Sequence, residues 1–184
     1  KIDNCCTRYD IPNIIIEVTK VLYKFISMEK LFRGAVREAM LASCLYYSWI
    51  ENKNPRNIEE VSIVFKANPK KVNKTNKILA SFMWKSNNHK ELIMQHNTTC
   101  EDIIYRYCDK IDILPRDVAQ IKRICNEYES SKNMIGKDCS YIAALAIYNY
   151  SKSKNLHISK EDICEACFLS TVTLNKLLKN DNIE

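Results

Sequence analysis

The chain has 184 residues, of which 46% are hydrophobic and 27% charged, values that indicate a folded protein with one large or two small domains. Its two glycines and four prolines are too few for the closely spaced turns of an all-β fold, and neither Gly34 nor Gly136 lies in a phosphate-binding glycine motif. No apolar stretch approaches the ~20 residues of a membrane span. The net charge of +6 comes from residues 1–96, which hold 16 Lys and Arg against nine Asp and Glu, whereas residues 97–184 hold 12 against 13.

The apolar spacing in the first half of the chain predicts five helices. Asn57 followed by Glu60 has the spacing of a capping box, and Asn68 before Pro69 is a helix start with proline at its first position. One helix is apolar on most of its circumference, which places it at the centre of a bundle. The predicted helices are one before residue 12 and four at about 12–28, 34–50 (the central one), 57–66 and 69–82.

The stretch from Lys66 to Lys90 contains seven lysines and no acidic residue. Lys70, Lys74 and Lys77 recur there at helical spacing, so they form a stripe on one helix face. Such a stripe suits DNA phosphates or an acidic protein surface. The alternative is an ordinary solvated face without a partner.

The second half of the chain repeats the first at a shift of 102 residues, without a gap. Gly34 then falls on Gly136, and the helix start at Asn57 falls on Ser159 with Asp162 three residues later. A period of this length indicates a duplicated domain. The sequence therefore predicts an all-α fold of two tandem five-helix repeats, residues 1–90 and 91–184, joined by a linker at about 83–102.

The last two helices of each copy are separated by a short turn, at residues 66–68 and 168–170, as in a helix-turn-helix. In the second copy the final helix would turn Val172, Asn175 and Lys176 outward. A small apolar group suits a thymine methyl, Asn suits adenine, and Lys suits guanine or phosphate. The alternative is two packed helices that do not contact DNA.

The sequence favours binding over catalysis. Nine cysteines, an odd number, are interpreted as small buried hydrophobes in a reducing compartment rather than as a disulfide framework. Cys164 and Cys167 have metal-ligand spacing, but no second cysteine or histidine pair follows them, so we expect no metal site in this chain. No catalytic triad, paired carboxylate or nucleophile motif accompanies the three histidines, which are His89, His96 and His157.

An ordered series of short segments runs through both copies. In the first copy it consists of Phe32-Arg33-Gly34, residues 39–46 and residues 55–61. In the second copy it consists of Tyr107-Cys108-Asp109, Leu114-Pro115, Gly136-Lys137, residues 143–148, residues 160–163 and Val172-Thr173-Leu174. The series resembles the two cyclin-like repeats of transcription factor IIB, over about residues 10–180.

This resemblance implies the core of a general initiation factor, which binds the TATA-binding protein and promoter DNA and bridges them to a multisubunit RNA polymerase. Val172 falls at the family's DNA-reading valine, whereas Asn175 stands where the family commonly has arginine. In the DNA-contacting loop of the first repeat, Ala35 replaces the usual arginine. The family's other DNA-contacting or basic positions fall on Arg33, Gly34, Gly136, Lys137, Lys70 and Lys74.

The resemblance also implies a monomer without a cofactor in this part of the chain, and a zinc ribbon upstream of it. We expect a location in the nucleus, or in a cytoplasmic virus factory if the source is a large DNA virus, which the abundance of Lys, Asn, Ile and Tyr would fit. Two alternatives remain open. One is a cyclin-type module that regulates a kinase, and the other is the related factor of RNA polymerase III.

Overall fold

The computed structural model describes residues 1–86, 98–131, 134 and 136–181. These residues form ten α-helices and no β-strand. The chain divides into two compact units, Lys1–Asn97 and Thr98–Glu184, each with five of the described helices. The helices of the first unit are α1 (Ile2–Thr7), α2 (Asn13–Glu29), α3 (Gly34–Glu51), α4 (Ile58–Phe65) and α5 (Pro69–Lys85). Those of the second unit are α6 (Cys100–Asp109), α7 (Pro115–Ser130), α8 (Cys139–Ser153), α9 (Lys160–Ala166) and α10 (Thr171–Asp181). This architecture confirms the predicted fold class.

The backbone repeats with the same 102-residue shift as the sequence. Helices α2, α4 and α5 begin 102 residues before α7, α9 and α10. The residues with positive φ form four pairs at this shift among the described residues: Asp10 and Asp112, Gly34 and Gly136, Lys53 and Asn155, and Lys66 and Phe168. A side chain in this left-handed region costs free energy. Its recurrence at matching turns indicates that both copies keep one backbone path.

Helix α3 is the centre of the first unit, as predicted. Residues 39–49 are all buried, because α2, α4 and α5 pack against it. Two buried hydroxyl pairs lie in these contacts. The Oγ of Ser43 is 2.7 Å from Oγ1 of Thr75 on α5, and Oγ1 of Thr19 on α2 donates to Oγ of Ser48 at 3.0 Å.

Helix α8 has the same central place in the second unit. Residues 142–147 are buried without interruption, and the unit's hydrophobic core forms around them. At this core's edge the hydroxyl of Tyr150 donates to Asp117 on α7 at 2.7 Å. The alanines among these buried residues (Ala143, Ala144 and Ala146) have small side chains, which lets neighbouring helices approach closely.

The predicted helix starts are confirmed. Asn57 accepts from the backbone N–H of Glu60 at 2.7 Å, and the Glu60 carboxylate accepts from the N–H of Asn57 at 2.9 Å. Ser159 and Asp162 form the matching box in the second unit, at 3.0 and 3.1 Å. Asn68 caps α5 through the N–H of Lys70 at 3.0 Å.

The predicted linker at 83–102 is wrong at both ends. Helix α5 continues to Lys85, because Met83 is fully buried and holds its last turn against the core. Helix α6 begins at Cys100, where Thr99 and Asp102 form a capping box that was not anticipated. Residues 87–97, with the predicted domain boundary at 90 and both His89 and His96, lie outside the described residues.

The cysteines are all unpaired, and seven of the nine are buried. Cys164 and Cys167 are 4% and 0% exposed, so the interpretation of this pair as core residues is confirmed. Cys167 lies one residue beyond the end of α9. His157 lies in the loop between α8 and α9. None of the described helices has the length and apolar character to cross a membrane.

Candidate nucleic-acid interface

Helix α5 presents the lysine stripe to solvent. Its inner face buries Val72, Leu79 and Met83 in the core, while the side chains of Lys70, Lys74 and Lys77 are exposed. Two further exposed lysines, Lys66 and Lys71, flank the start of the stripe. No ion pair among the described residues neutralises any of these five lysines. The helix therefore carries an uncompensated positive face.

Helix α10 has the orientation that the sequence predicts. Leu174 and Leu177 are buried at 0% and 7% exposure, and Leu178 packs partly against the core. Ser170 caps the helix by accepting from the N–H of Thr173 at 3.1 Å, which fixes the first turn. Val172 is 62% exposed, and Asn175 and Lys176 are exposed beside it at helical spacing. These three side chains share one accessible face.

Lys160 is a member of this surface that sequence reasoning missed. Its Nζ donates to Oδ1 of Asn175 at 2.9 Å and lies 5.2 Å from the centre of the Tyr148 ring. An Asn that reads adenine uses both its amide N–H and its carbonyl oxygen, but here Lys160 occupies that oxygen. The pair therefore presents an ammonium group next to an amide rather than a free amide. No local motif joins residues 160 and 175, so only the packing of α9 against α10 brings them together.

The two glycine loops lie at the starts of the central helices. Gly34 has a φ of 53° at the first position of α3, directly after the exposed Arg33, and Gly136 has a φ of 76° before the exposed Lys137. A Cβ atom on either glycine would meet no heavy atom within 4 Å. Backbone conformation, not lack of space, therefore favours glycine at both positions. Among the described residues of each unit, no hydrogen bond or ion pair connects the glycine loop with the exposed face of that unit's own last helix, α5 or α10.

The shift of 102 residues pairs exposed residues of α5 with residues of α10. Lys70 corresponds to Val172, whereas Asn73 and Lys74 correspond to Asn175 and Lys176. All six side chains are exposed. One surface position thus holds a cation in the first unit and an apolar group in the second.

No protein-family model matches the chain. Among curated proteins, it is 29% identical to a putative transcription initiation factor IIB-like protein of Acanthamoeba polyphaga mimivirus, over 97% of this chain and 41% of that protein. It is 24% identical to transcription initiation factor IIB 3 of Halobacterium salinarum, over 95% of this chain and 52% of the relative. It is 22% identical to transcription initiation factor IIB of Schizosaccharomyces pombe, over 92% and 52%.

The chain spans about half the length of the curated relatives it matches. The names of these relatives describe initiation factors of a virus, of archaea and of eukaryotes, and none of the names describes an enzyme. The matches cover both helical units, and so they include the whole ordered series of segments noted in the sequence. Over more than nine-tenths of its length, this chain is homologous to the transcription initiation factors IIB.

Proposed function

We propose that this chain is the core of a general transcription initiation factor that binds the TATA-binding protein and promoter DNA and bridges them to a multisubunit RNA polymerase. The observation that carries the proposal is the similarity to initiation factors IIB across both units. The proposed factor acts as a monomer, by binding alone, in the nucleus or in a virus factory. Its core needs no cofactor for this role, and the zinc ribbon expected upstream would belong to the polymerase-contacting part.

The face of α5 supplies the electrostatic part of DNA or acidic-protein binding. Lys70 and Lys77 are seven residues apart, so the stripe is roughly 10 Å long at the rise of an α-helix. One DNA strand carries roughly three phosphates along that length. Because no ion pair with a described residue has to be broken, the three lysines are available to such a partner. Phosphate contacts of this kind set position and affinity but not sequence preference.

The face of α10 supplies the base-reading part. Val172 extends from the first turn of the helix, where a recognition helix meets base edges in the major groove. Its side chain is 62% exposed, and an exposed apolar group at this position suits contact with a thymine methyl group. Asn175 acts there together with Lys160, and Lys176 completes the cationic edge.

The glycine loops are assigned to DNA-backbone contacts. Arg33 with Gly34 and Lys137 beside Gly136 each combine an exposed cation with a backbone bend that only glycine adopts easily. A cyclin-type kinase regulator would share the fold. A kinase-regulating role does not explain the exposed lysines of α5, which form no ion pair with a described residue. We therefore prefer DNA as the partner of this helix.

The decisive experiment is a gel shift of a TATA promoter fragment with the matched TATA-binding protein, with and without this chain. We expect weak binding of DNA by the chain alone and a supershifted complex when both proteins are present. Replacing Lys70 and Lys74 by Glu should weaken this complex about tenfold or more on every promoter, since two phosphate or acidic contacts become repulsive.

A matched control reverses two other exposed lysines of the first unit, Lys24→Glu and Lys30→Glu, for the same change in net charge. If both double variants lose binding equally, net charge rather than the α5 face carries the interaction. The absence of any supershift at low salt would refute the proposed function. Copurification with a kinase, without nucleic-acid binding, would establish the cyclin-type alternative instead.

A further inference from the structure

Three helix ends of the second unit bring two thiols and a carboxylate together. Cys100 is the first residue of α6, Cys139 is the first residue of α8, and Glu129 lies in the last turn of α7. Their Sγ and carboxylate oxygen atoms all lie within 4.8 Å of one another. Cys100 is buried and the other two are half-buried, so the cluster lies at the edge of the core rather than on the open surface.

Hydrogen bonds tie the three residues into one unit. A carboxylate oxygen of Glu129 accepts from the backbone N–H of Cys100 at 2.7 Å. The thiol of Cys139 points to the carbonyl of Thr98 at 2.7 Å, and the thiol of Cys100 to the carbonyl of Cys139 at 3.5 Å. Each of the three side chains is therefore held by a backbone group of another segment. Hydrogen bonds of this kind, made by groups that do not bind the metal themselves, orient the ligands of metal sites.

A further thiol lies next to this cluster. Cys125 is buried one helical turn before Glu129 on the same face of α7. Its side chain hydrogen-bonds that of Cys100, and this contact is the largest cause of the raised pKa of Cys100. The contact with Cys100 is likewise the largest cause of the raised pKa of Cys139. The thiols are thus close enough to influence one another's protonation.

The first unit shows that the fold itself does not require thiols here. At the 102-residue shift, Cys125 and Cys139 correspond to Tyr23 and Arg37. Nε of Arg37 donates to the Tyr23 hydroxyl at 3.1 Å. The same junction between the second and third helices is therefore closed by a polar contact in one copy and lined with cysteines in the other.

Two thiolates and a carboxylate are a donor set that selects zinc, because soft sulfur ligands disfavour magnesium and calcium. Tetrahedral zinc has bonds of about 2.3 Å to sulfur, which holds ligand atoms roughly 3.8 Å apart. The three ligand atoms lie within 4.8 Å of one another, so side-chain movements of about 1 Å would bring them to that spacing.

We propose that Cys100, Glu129 and Cys139 bind a zinc ion, with Cys125 or water as the fourth ligand. The site joins the ends of α6, α7 and α8, and Cys139 follows two residues after Lys137 of the glycine loop assigned to the DNA backbone. Zinc binding there releases the thiol protons, so affinity falls as the pH is lowered. The site would hold three helices of the second unit together, and the stability of that unit would rise with the logarithm of the zinc affinity.

The test measures zinc bound by the intact 184-residue chain after chelation and titration with zinc, by native mass spectrometry under reducing conditions. We expect one zinc per chain, and with Co²⁺ the visible absorption of a tetrahedral thiolate site. Cys139→Ser should reduce the zinc affinity at least tenfold, as should Glu129→Gln, which keeps the shape and the acceptor for the Cys100 N–H. Circular dichroism should show that both variants remain helical.

The matched control is Cys164→Ser, a buried cysteine of the same unit outside the cluster, which should retain full zinc binding. Failure of the wild-type chain to bind one equivalent would overturn the proposal. So would unchanged zinc affinity in both Cys139→Ser and Glu129→Gln.

Discussion

One buried polar pair of the first unit has an apolar counterpart in the second. Ser43 and Thr75 form a hydroxyl pair between α3 and α5, and the equivalent residues Leu145 and Leu177 lie between α8 and α10. Removing one partner of a buried hydrogen bond costs more than replacing both by apolar groups. The two units therefore make the same helix contact differently, with a hydrogen-bonded hydroxyl pair in the first unit and an apolar pair in the second.

This contrast leads to a prediction for the hydroxyl pair. Thr75→Val should lower the free energy of unfolding by about 1–2 kcal/mol, because Ser43 loses its side-chain partner. Ser43→Ala combined with Thr75→Val should cost less than the sum of the two single substitutions, as expected for residues in contact. Urea denaturation followed by circular dichroism measures all four proteins of the cycle. Strictly additive losses would show that the pair contributes nothing as a pair.

How well single residues could be predicted depends on the distance between interacting partners in the sequence. The caps at Asn57, Asn68 and Ser159 act over two or three residues, so the local sequence was sufficient. Lys160 meets Asn175 only through tertiary packing, and Cys100 meets Cys139 across 39 residues. No short motif marks such contacts, whereas Cys164 and Cys167 have the spacing of a ligand pair although both are core residues.

At the scale of the helix, α2 and α7 show which surfaces the fold needs. The outer face of α2 is apolar, with Ile14, Val21 and Met28 at 63%, 59% and 79% exposure. The corresponding residues of α7 are Arg116, Arg123 and Ser130, all exposed. Because the same helix folds with a polar outer face in the second unit, the apolar face of α2 is not part of the core.

We accordingly expect Val21→Arg with Met28→Ser, the residues of the second copy, to change the free energy of unfolding by no more than about 0.5 kcal/mol. Leu22→Arg on the same helix is the control. It places a charge at a fully buried position and should cost several kcal/mol. Urea denaturation compares the two proteins. A large loss from the exposed pair would mean that another segment of the chain covers this face.

Helix positions were predicted within a few residues because capping residues and apolar spacing repeat in both copies. The end of α5 was placed three residues too early, since Trp84 and Lys85 follow the buried Met83 without an apolar pattern of their own. The start of α6 was missed although Thr99 and Asp102 form a capping box of the same kind as Ser159 and Asp162, because these residues lie in the stretch predicted as a linker. Propensity alone is weakest at such ends.

At the scale of the whole chain, the duplication separates two kinds of surface. Residues 1–96 carry all the excess positive charge, while residues 97–184 have slightly more acidic than basic residues. The exposed lysines of α5 lie in the first unit and Val172 in the second. Fold class and duplication followed from the sequence because helical spacing and the 102-residue shift extend over the whole chain. Which residues can contact a partner depends on the exposure of their side chains, and sequence spacing alone does not determine that exposure.

The salt dependence of ternary-complex formation on promoter DNA tests whether the α5 lysines contact phosphates while Val172 contacts bases. Lys70→Gln with Lys74→Gln should lower the slope of log K against log salt concentration by about 2, since each lost phosphate contact removes roughly 0.9. Val172→Ala should leave the slope unchanged, because an apolar side chain releases no counterion. It should instead change the preference among sequences upstream of the TATA element, by about 1 kcal/mol at the contacted base pair. If Val172→Ala weakened binding equally on every sequence, the valine would be a packing residue of the complex, and base reading would have to be assigned to Asn175 with Lys160.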